Sequence, residues 1–371
     1  MTPRPGLLRL LLAAPLLAGA ARADVTVVLR GGNAPVRATS ATADLAGLAV
    51  RIAEPGGERR ETVPWDFVRG VEGSAAVAGE YLEIGEDLWR ARIRVERGDA
   101  PLARPLVSRH WDRLQAASGP TSALAAEVLL RCALEDLDLR AAAEPWLVLL
   151  RHRASGEATR FPTLPPVIDE ATGLLPELSP FVPTARRDDL AAALDAAQGA
   201  GGDGPAPIAA AIARIMRWTA GETGAAPAAP VRDAAPAERA LGLLEAIVAA
   251  PDARAAIRAA GDFDRAFAEG PAFLGAWRLA ATGAQAARLA RAVPVGGEED
   301  GARRVALERA ALELLAVPAS GLDKTGLVDA YALEEAESLL REAGDAASAD
   351  ALAALREDRL RNTKAGAARD G

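Results

Sequence analysis

The stretch GEYLEIGEDLWRARIRVERGDAPLA, residues 79–103, decides the fold class. Tyr81, Ile84, Leu88, Ala91 and Val95 recur at spacings of three and four, which places them on one face of an amphipathic helix. Gly98 supplies a residue able to take positive φ and so ends that helix. Asp99 is placed to cap the next one, and the small side chain of Ala103 lets the two helices approach.

The same turn recurs downstream. Gly261-Asp262 is followed by Ala266 and Gly344-Asp345 by Ala349, and Leu137-Asp138 with Ala142 repeats the pattern with the glycine replaced. Between these turns lie apolar stripes: Ala103, Val107, His110 and Leu114; then Ala125, Val128 and Cys132 after a Ser118-Gly119-Pro120 turn, with Thr121 or Ser122 as cap; then Ala143, Trp146, Leu147 and Leu150. After Pro236 a stripe of Ala237, Leu241, Leu244 and Val248 starts a second run of helices. Further helices are expected near Ala272–Ala281, Ala284–Ala292, Ala302–Ala316, Leu327–Glu342 and Ala347–Leu360. The Gly-Asp turns resemble those between the two helices of tetratricopeptide (TPR) repeats, with Asp99, Asp138, Asp262 and Asp345 at the matching capping position. The resemblance implies a TPR-like array. A non-repeating, irregular antiparallel helical array satisfies the same stripes.

Toward the N-terminus the period changes to two. Val25–Leu29, Val36–Ala41, Gly47–Ile52, Arg59–Val63 and Phe67–Val71 read as strands, with Gly31-Gly32 and Gly56-Gly57 as turns and Pro64-Trp65-Asp66 as a break before the last. Five short strands with such a break resemble the SH3-like or Sm-like barrels, which implies a small β-barrel-like domain. Ahead of it, Arg4 and Arg9, the apolar run Leu10–Ala20 and Ala21-Arg22-Ala23 have the order of a secretory leader cut before Asp24. That apolar run is shorter than the ~20 residues of a spanning helix.

The chain thus divides into a signal peptide over 1–23, a small β domain over 24–73, helical hairpins over 74–155, a Pro/Gly-rich strap with short helices over 156–235, a C-terminal helical array over 236–362 and a disordered tail over 363–371. Residues 156–236 hold 11 of the 25 prolines, yet interleave them with Leu164, Ile168, Leu174, Leu175 and Phe181, so the strap reads as an extended segment packed along helices. Within it, helices are expected near Arg186–Ala197 and Pro207–Thr219, and loops at Gly199–Gly204 and Gly221–Pro230. The layout as a whole resembles exported bacterial proteins of uncharacterised function in which a small β domain precedes degenerate helical repeats.

Composition narrows the chemistry. A single cysteine, Cys132, excludes an intramolecular disulfide, so apolar packing must supply stability. The formal net charge of −8 becomes −11 once the leader's three arginines, Arg4, Arg9 and Arg22, are removed, which disfavours nucleic acid. His110 falls on an apolar stripe and reads as a buried, hydrogen-bonded residue. His152, in Arg151-His152-Arg153, reads as positive charge at a helix C-terminus. Neither has ligand-spaced partners for zinc. Cys132 reads as a buried inert thiol. Gly199–Gly204 lacks the strand and the Lys-Ser/Thr of a phosphate loop, Glu298-Glu299-Asp300 lacks calcium-loop spacing, and no Gly-x-Ser-x-Gly elbow occurs. Trp89 and Trp146 lie at core spacing, and Trp65 is read as bridging the β domain to the first helix.

The expectation is therefore a mainly α, exported, periplasmic or secreted protein that binds a protein or peptide of the cell envelope. No catalytic, cofactor-binding or metal-binding residue is assigned, no membrane insertion follows leader removal, and the open sheet edge of the β domain is a candidate for strand recruitment. The competing expectation is an envelope hydrolase of the glycan-cleaving class, using paired carboxylates drawn from Asp169, Glu170 and Glu177.

Overall fold

The computed structural model describes residues 25–73, 77–201, 206–222, 234–296 and 299–367. The leader, Glu298, residues 202–204 of the first expected loop and residues 223–230 of the second lie outside these residues, while residues 199–201, also expected as loop, end a helix that begins at Thr184.

The β region comprises β1 (Val25–Leu29), β2 (Val36–Ala38), β3 (Ser40–Ala43), β4 (Leu48–Glu54), β5 (Gly57–Val63) and β6 (Val68–Gly73), with a 3-10 turn over Trp65–Phe67. They form two three-stranded antiparallel sheets, ordered β2-β1-β6 and β3-β4-β5. The strand expected over Val36–Ala41 is split at Thr39. There the chain leaves β1 and turns onto β4, with Thr39 N–H donating to the Arg51 carbonyl at 2.7 Å. Alternation puts Val25, Val27, Leu48 and Val50 inward, and these close a small core with Ala38, Val63, Trp65 and Val68. The expected strand at Phe67 begins one residue later, because Phe67 belongs to the 3-10 turn.

The remainder is helical: α1 (Gly79–Glu96), α2 (Ala100–Leu114), α3 (Pro120–Glu135), α4 (Leu139–Ala154), α5 (Thr184–Gly201), α6 (Ala206–Thr219), α7 (Pro236–Val248), α8 (Ala253–Ala266), α9 (Ala272–Arg291), α10 (Glu299–Ser320), α11 (Leu327–Glu342) and α12 (Ala346–Ala367). Each packs on its neighbour in the chain, and α1 also meets α3, α7 meets α9, and α9 meets α11. One continuous apolar core runs from Ile84 of α1 to Ala349 of α12.

Three of the four Gly-Asp-type turns fall between helices. Gly98 (φ 80°) and Gly344 (φ 83°) take the left-handed conformation, and Leu137 takes it without glycine's freedom (φ 51°). Asp138 accepts from Ala141 N–H at 3.0 Å, and Asp345 accepts from Ser348 N–H at 3.1 Å. Asp99 occupies the capping position of α2 with no side-chain bond to the helix. Gly261-Asp262 differs: it lies inside α8, because Ala256, Ala260, Phe263 and Phe267 continue the inward stripe straight through it. Likewise α9 is one helix where two were expected. Its Gly283 is a contact point, and a Cβ there would come within 2.7 Å of Leu314 on α10. Thr121 and Ser122 lie inside α3, which Gly119 caps at φ 87°. Helix α12 extends to Ala367, into the segment expected as a tail from 363, and residues 368–371 lie outside the described residues.

The strap is packed. Phe161, Ile168, Leu174, Leu175, Leu178 and Phe181 are buried in the helical core. Its first turn is anchored by Glu127, which accepts from Thr159 Oγ1 (2.9 Å), Arg160 N–H (3.0 Å) and Arg131 (2.9 Å).

Strap, β region and helices meet at the 3-10 turn. Trp65 is fully buried, stacks on Tyr81 of α1 at 5.2 Å and donates from Nε1 to the Asp44 carbonyl at 2.6 Å. Thr121 Oγ1 of α3 accepts from Trp65 N–H (3.2 Å) and donates to the Ala46 carbonyl (2.7 Å). Beside it, fully buried Asp66 is held by Arg92 of α1 (3.1 Å) and Arg160 of the strap (3.1 Å), and both guanidiniums lie over the Phe67 ring. Burial raises the Asp66 carboxyl pKa, against the pull of both arginines.

Candidate protein interface

The residues singled out in the sequence are placed as follows. His110 Nε2 is bonded to buried Asp87 Oδ2 at 2.8 Å, tying α2 to α1, with Arg109 at 3.3 Å from the same oxygen. His152 does not carry charge to a helix terminus. It is 2% exposed, bonds Ser122 Oγ at 2.9 Å, and burial, with Arg151 beside it, lowers its pKa to about 4. A buried imidazole is cheaper neutral than charged. Cys132 Sγ donates to the Ala100 carbonyl, and burial pushes the thiol up to about 11.

The three strap carboxylates have separate surroundings. Asp169 Oδ1 accepts from Thr172 N–H and Oγ1, at 2.8 and 2.6 Å, and so shapes a turn. Glu170 lines a small hollow of about 240 Å³ with Arg153, Glu157 and Glu127. Glu177 faces Asp323, and burial raises its pKa. Asp323 is itself consumed at the start of α11, accepting from Thr325 N–H and Oγ1 and from Val328 and Asp329 N–H. Asp300 accepts from Gly296 N–H at 2.7 Å. Among the described residues, no group of three or more His, Cys, Asp or Glu is arranged to hold a metal ion, and no helix is long and apolar enough to cross a membrane.

The β edge is guarded. Strand β5 is exposed at every position but Val63, and most of its charges are paired: Arg59 with Glu54 (2.8 Å) and Glu61 (2.6 Å), and Glu58 with Arg51 (3.8 Å). Such a charged edge opposes strand addition.

A larger feature lies in the C-terminal array. Helix α8 packs on α7 through Ala256 and Phe263, its only buried side chains, after Asp252 caps it by accepting from Ala255 N–H at 2.7 Å. Helix α10 packs closely on α9 across Gly283. Between α8 and α10, with α9 as floor, runs a groove of about 660 Å³. Its α8 wall presents Ile257, 71% exposed; the floor presents Leu289 and Val293; the α10 wall presents Ala306 and Ala310. Val295 beyond α9, and Val305 and Leu312 on α10, are also exposed among the described residues, but none of the three lines the groove. An open, mostly apolar concavity with an exposed Ile257 on its wall has the character of an interaction surface.

The polar groups of the groove are few. Asp264 and Arg278 pair across α8 and α9 at 2.9 Å. Thr282 Oγ1 donates to the Arg278 carbonyl, and Gln285 Nε2 points to the Ala250 carbonyl at 3.5 Å. On the α10 wall Arg309 and Glu313 stand one turn apart, and neither forms an ion pair among the described residues. Sequence reading missed this groove because its walls are alanine-rich and its α8 wall carried the Gly261-Asp262 dipeptide taken for a turn. The available signal was Ile257, an apolar residue lying off the buried stripe of its helix. No family model, no curated protein and no solved structure matches this chain.

Proposed function

We propose that this is an exported, non-enzymatic scaffold of the cell envelope that binds a protein partner in the groove between α8 and α10. The observation that carries the reading is the groove itself: an open concavity whose lining is mostly apolar, with Ile257 exposed on its α8 wall. Its helices belong to an array in which alternate helices touch, as α7 with α9 and α9 with α11, and this supports a TPR-like arrangement. The second strand divided between two sheets, and the 3-10 turn before the last strand, support an SH3-like β domain. Export rests on the order of residues 1–23, and an acidic mature chain suits a protein partner over nucleic acid.

The test is site-specific photo-crosslinking in cells that carry the full chain. A photoreactive side chain at Ala306, on the groove wall, is expected to capture an envelope protein. The same probe at Glu61, on the guarded β edge, is expected not to. Adding Ile257→Asp to the Ala306 probe should abolish the product. Equal capture from both positions, or a product indifferent to Ile257→Asp, would refute the groove as the binding face.

A further inference from the structure

We infer that the occupant of the groove is an amphipathic α-helix of a partner protein, carrying an acidic and a basic residue one turn apart beside its apolar stripe. The inference rests on the groove being the binding face, and it names the kind of partner.

Backbone chemistry selects the helix. Both walls and the floor are helices, whose N–H and C=O groups are bonded within α8, α9 and α10. Among the described residues no strand edge borders the groove. The lining's side-chain hydrogen-bonding groups are largely committed, Thr282 to Arg278, Gln285 toward Ala250 and Asp264 to Arg278. An extended peptide pressed into such a groove would bury amides with nothing to pair them, at a cost of about 1–3 kcal/mol each. A helix arrives with its backbone already satisfied.

The shape agrees with a helix lying in an open groove of about 660 Å³. Its small residues, Ala260 and Gly261 on one wall and Ala306 and Ala310 on the other, permit close approach of a helix axis, while Ile257 and Leu289 supply larger knobs.

Charge fixes the flank. Arg309 and Glu313 are exposed on the same wall, one helical turn apart and unpaired with each other. A helix lying along α10 meets both when it bears a carboxylate level with Arg309 and a basic side chain level with Glu313. A second copy of this chain is a poorer fit, because two concave grooves do not fill one another.

The probes are fluorescein-labelled peptides of about 18 residues, and the protein is the mature chain, residues 24–371. One peptide carries a Leu/Ala stripe at i, i+3, i+4 and i+7, flanked by Glu and Arg four residues apart. A second scrambles the stripe, a third places proline at its centre, and a fourth replaces both charges by Gln. By anisotropy, the first is expected to bind about tenfold more tightly than the second and third, and a few-fold more tightly than the fourth. Arg309→Ala should erase the advantage over the fourth peptide, and Ile257→Asp should abolish binding of the first. Both substituted side chains are exposed, and unchanged circular dichroism confirms folding. Equal binding of all four peptides, or none, overturns the helix. Preferential binding of the proline peptide, sensitive to Ile257→Asp, overturns the helix and keeps the groove as the interface. A dimer in sedimentation that Ile257→Asp dissolves overturns the foreign partner in favour of a second copy.

Discussion

His152 shows how one buried side chain couples the fold to pH. Its imidazole, bonded to Ser122 and lowered to about 4, stays neutral in the folded chain, whereas the unfolded chain protonates it near its ordinary 6.5. Between those values the unfolded state binds the extra proton, so stability falls as pH drops from 6.5 to about 4 and is unaffected above that window. The contribution at the lower end is about 3 kcal/mol of lost stability. Urea melts at pH 7 and pH 4.5 should therefore differ less for His152→Asn than for the wild type; equal pH slopes would remove His152 as the cause. Backbone conformation is the second residue-scale determinant. At Gly98 and Gly344 a Cβ would meet no neighbour, yet φ is left-handed, so Gly98→Ala and Gly344→Ala should each cost about 1 kcal/mol through conformation alone. Leu137 already bears that strain at φ 51°, and Leu137→Gly relieves it at the price of a half-buried side chain. The expected outcome is a change within about 0.5 kcal/mol of zero, in contrast to the loss at the two glycines.

At the scale of elements, the legible ones were those in which periodicity and punctuation agreed. Helices α7 and α11 run Pro236–Val248 and Leu327–Glu342, as their stripes and flanking residues indicate. Strand β1 is likewise read from five β-branched or aliphatic residues closed by Gly31-Gly32. Errors arose where a glycine inside a helix was read as a stop. Gly261 sits within an uninterrupted inward stripe, and Gly283 is the point at which α9 and α10 come closest. A single sequence does not distinguish a glycine chosen for positive φ from one chosen for its missing Cβ. The structure does, because Gly283 is absent from the positive-φ glycines and faces Leu314. Gly283→Ala should therefore destabilise by about 1–3 kcal/mol by overpacking, and Gly283→Ala combined with Leu314→Ala should recover part of the loss from the added methyl, relative to Leu314→Ala alone. Additive losses in the double variant would contradict the contact. Gly261→Ala faces only the tip of Arg265 at 3.6 Å and should be neutral or stabilising, by up to about 1 kcal/mol, since a mid-helix glycine is replaced by the best helix former.

Across the whole molecule, what the sequence made legible was the mainly helical fold with a small β region in front. The groove was not legible, since a concavity between three helices depends on how α8 and α10 diverge over α9, and no local pattern encodes that divergence. Nor was the joint between the two regions fully legible. Trp65 was readable as a bridge, but Asp66 gave no sign that Arg92 and Arg160, one of them 94 residues away, would converge on it. That convergence makes the β region and the array mechanically one body: the 3-10 turn contributes Asp66 and Phe67, α1 contributes Arg92, and the strap contributes Arg160. Removing the carboxylate leaves two largely buried guanidiniums without their shared anion, a change that costs about 3–5 kcal/mol for buried pairs of this kind. Trp65→Ala empties a fully buried site and loses the stack on Tyr81, at a similar cost of about 3–5 kcal/mol. The two substitutions differ in what they leave behind. With the joint intact, calorimetry of the mature chain should give one transition, because β1–β6 and α1 cannot part without exposing Trp65 and Asp66 together. In Asp66→Asn the apolar half of the joint remains, so the expected result is one transition at lower temperature. In Trp65→Ala the β core loses its largest member and its hold on α1 at once, so the β region should melt first, ahead of the helices. Two transitions already in the wild type, or a melting temperature unmoved by Trp65→Ala, would show that the regions are stable independently and that the joint holds nothing together.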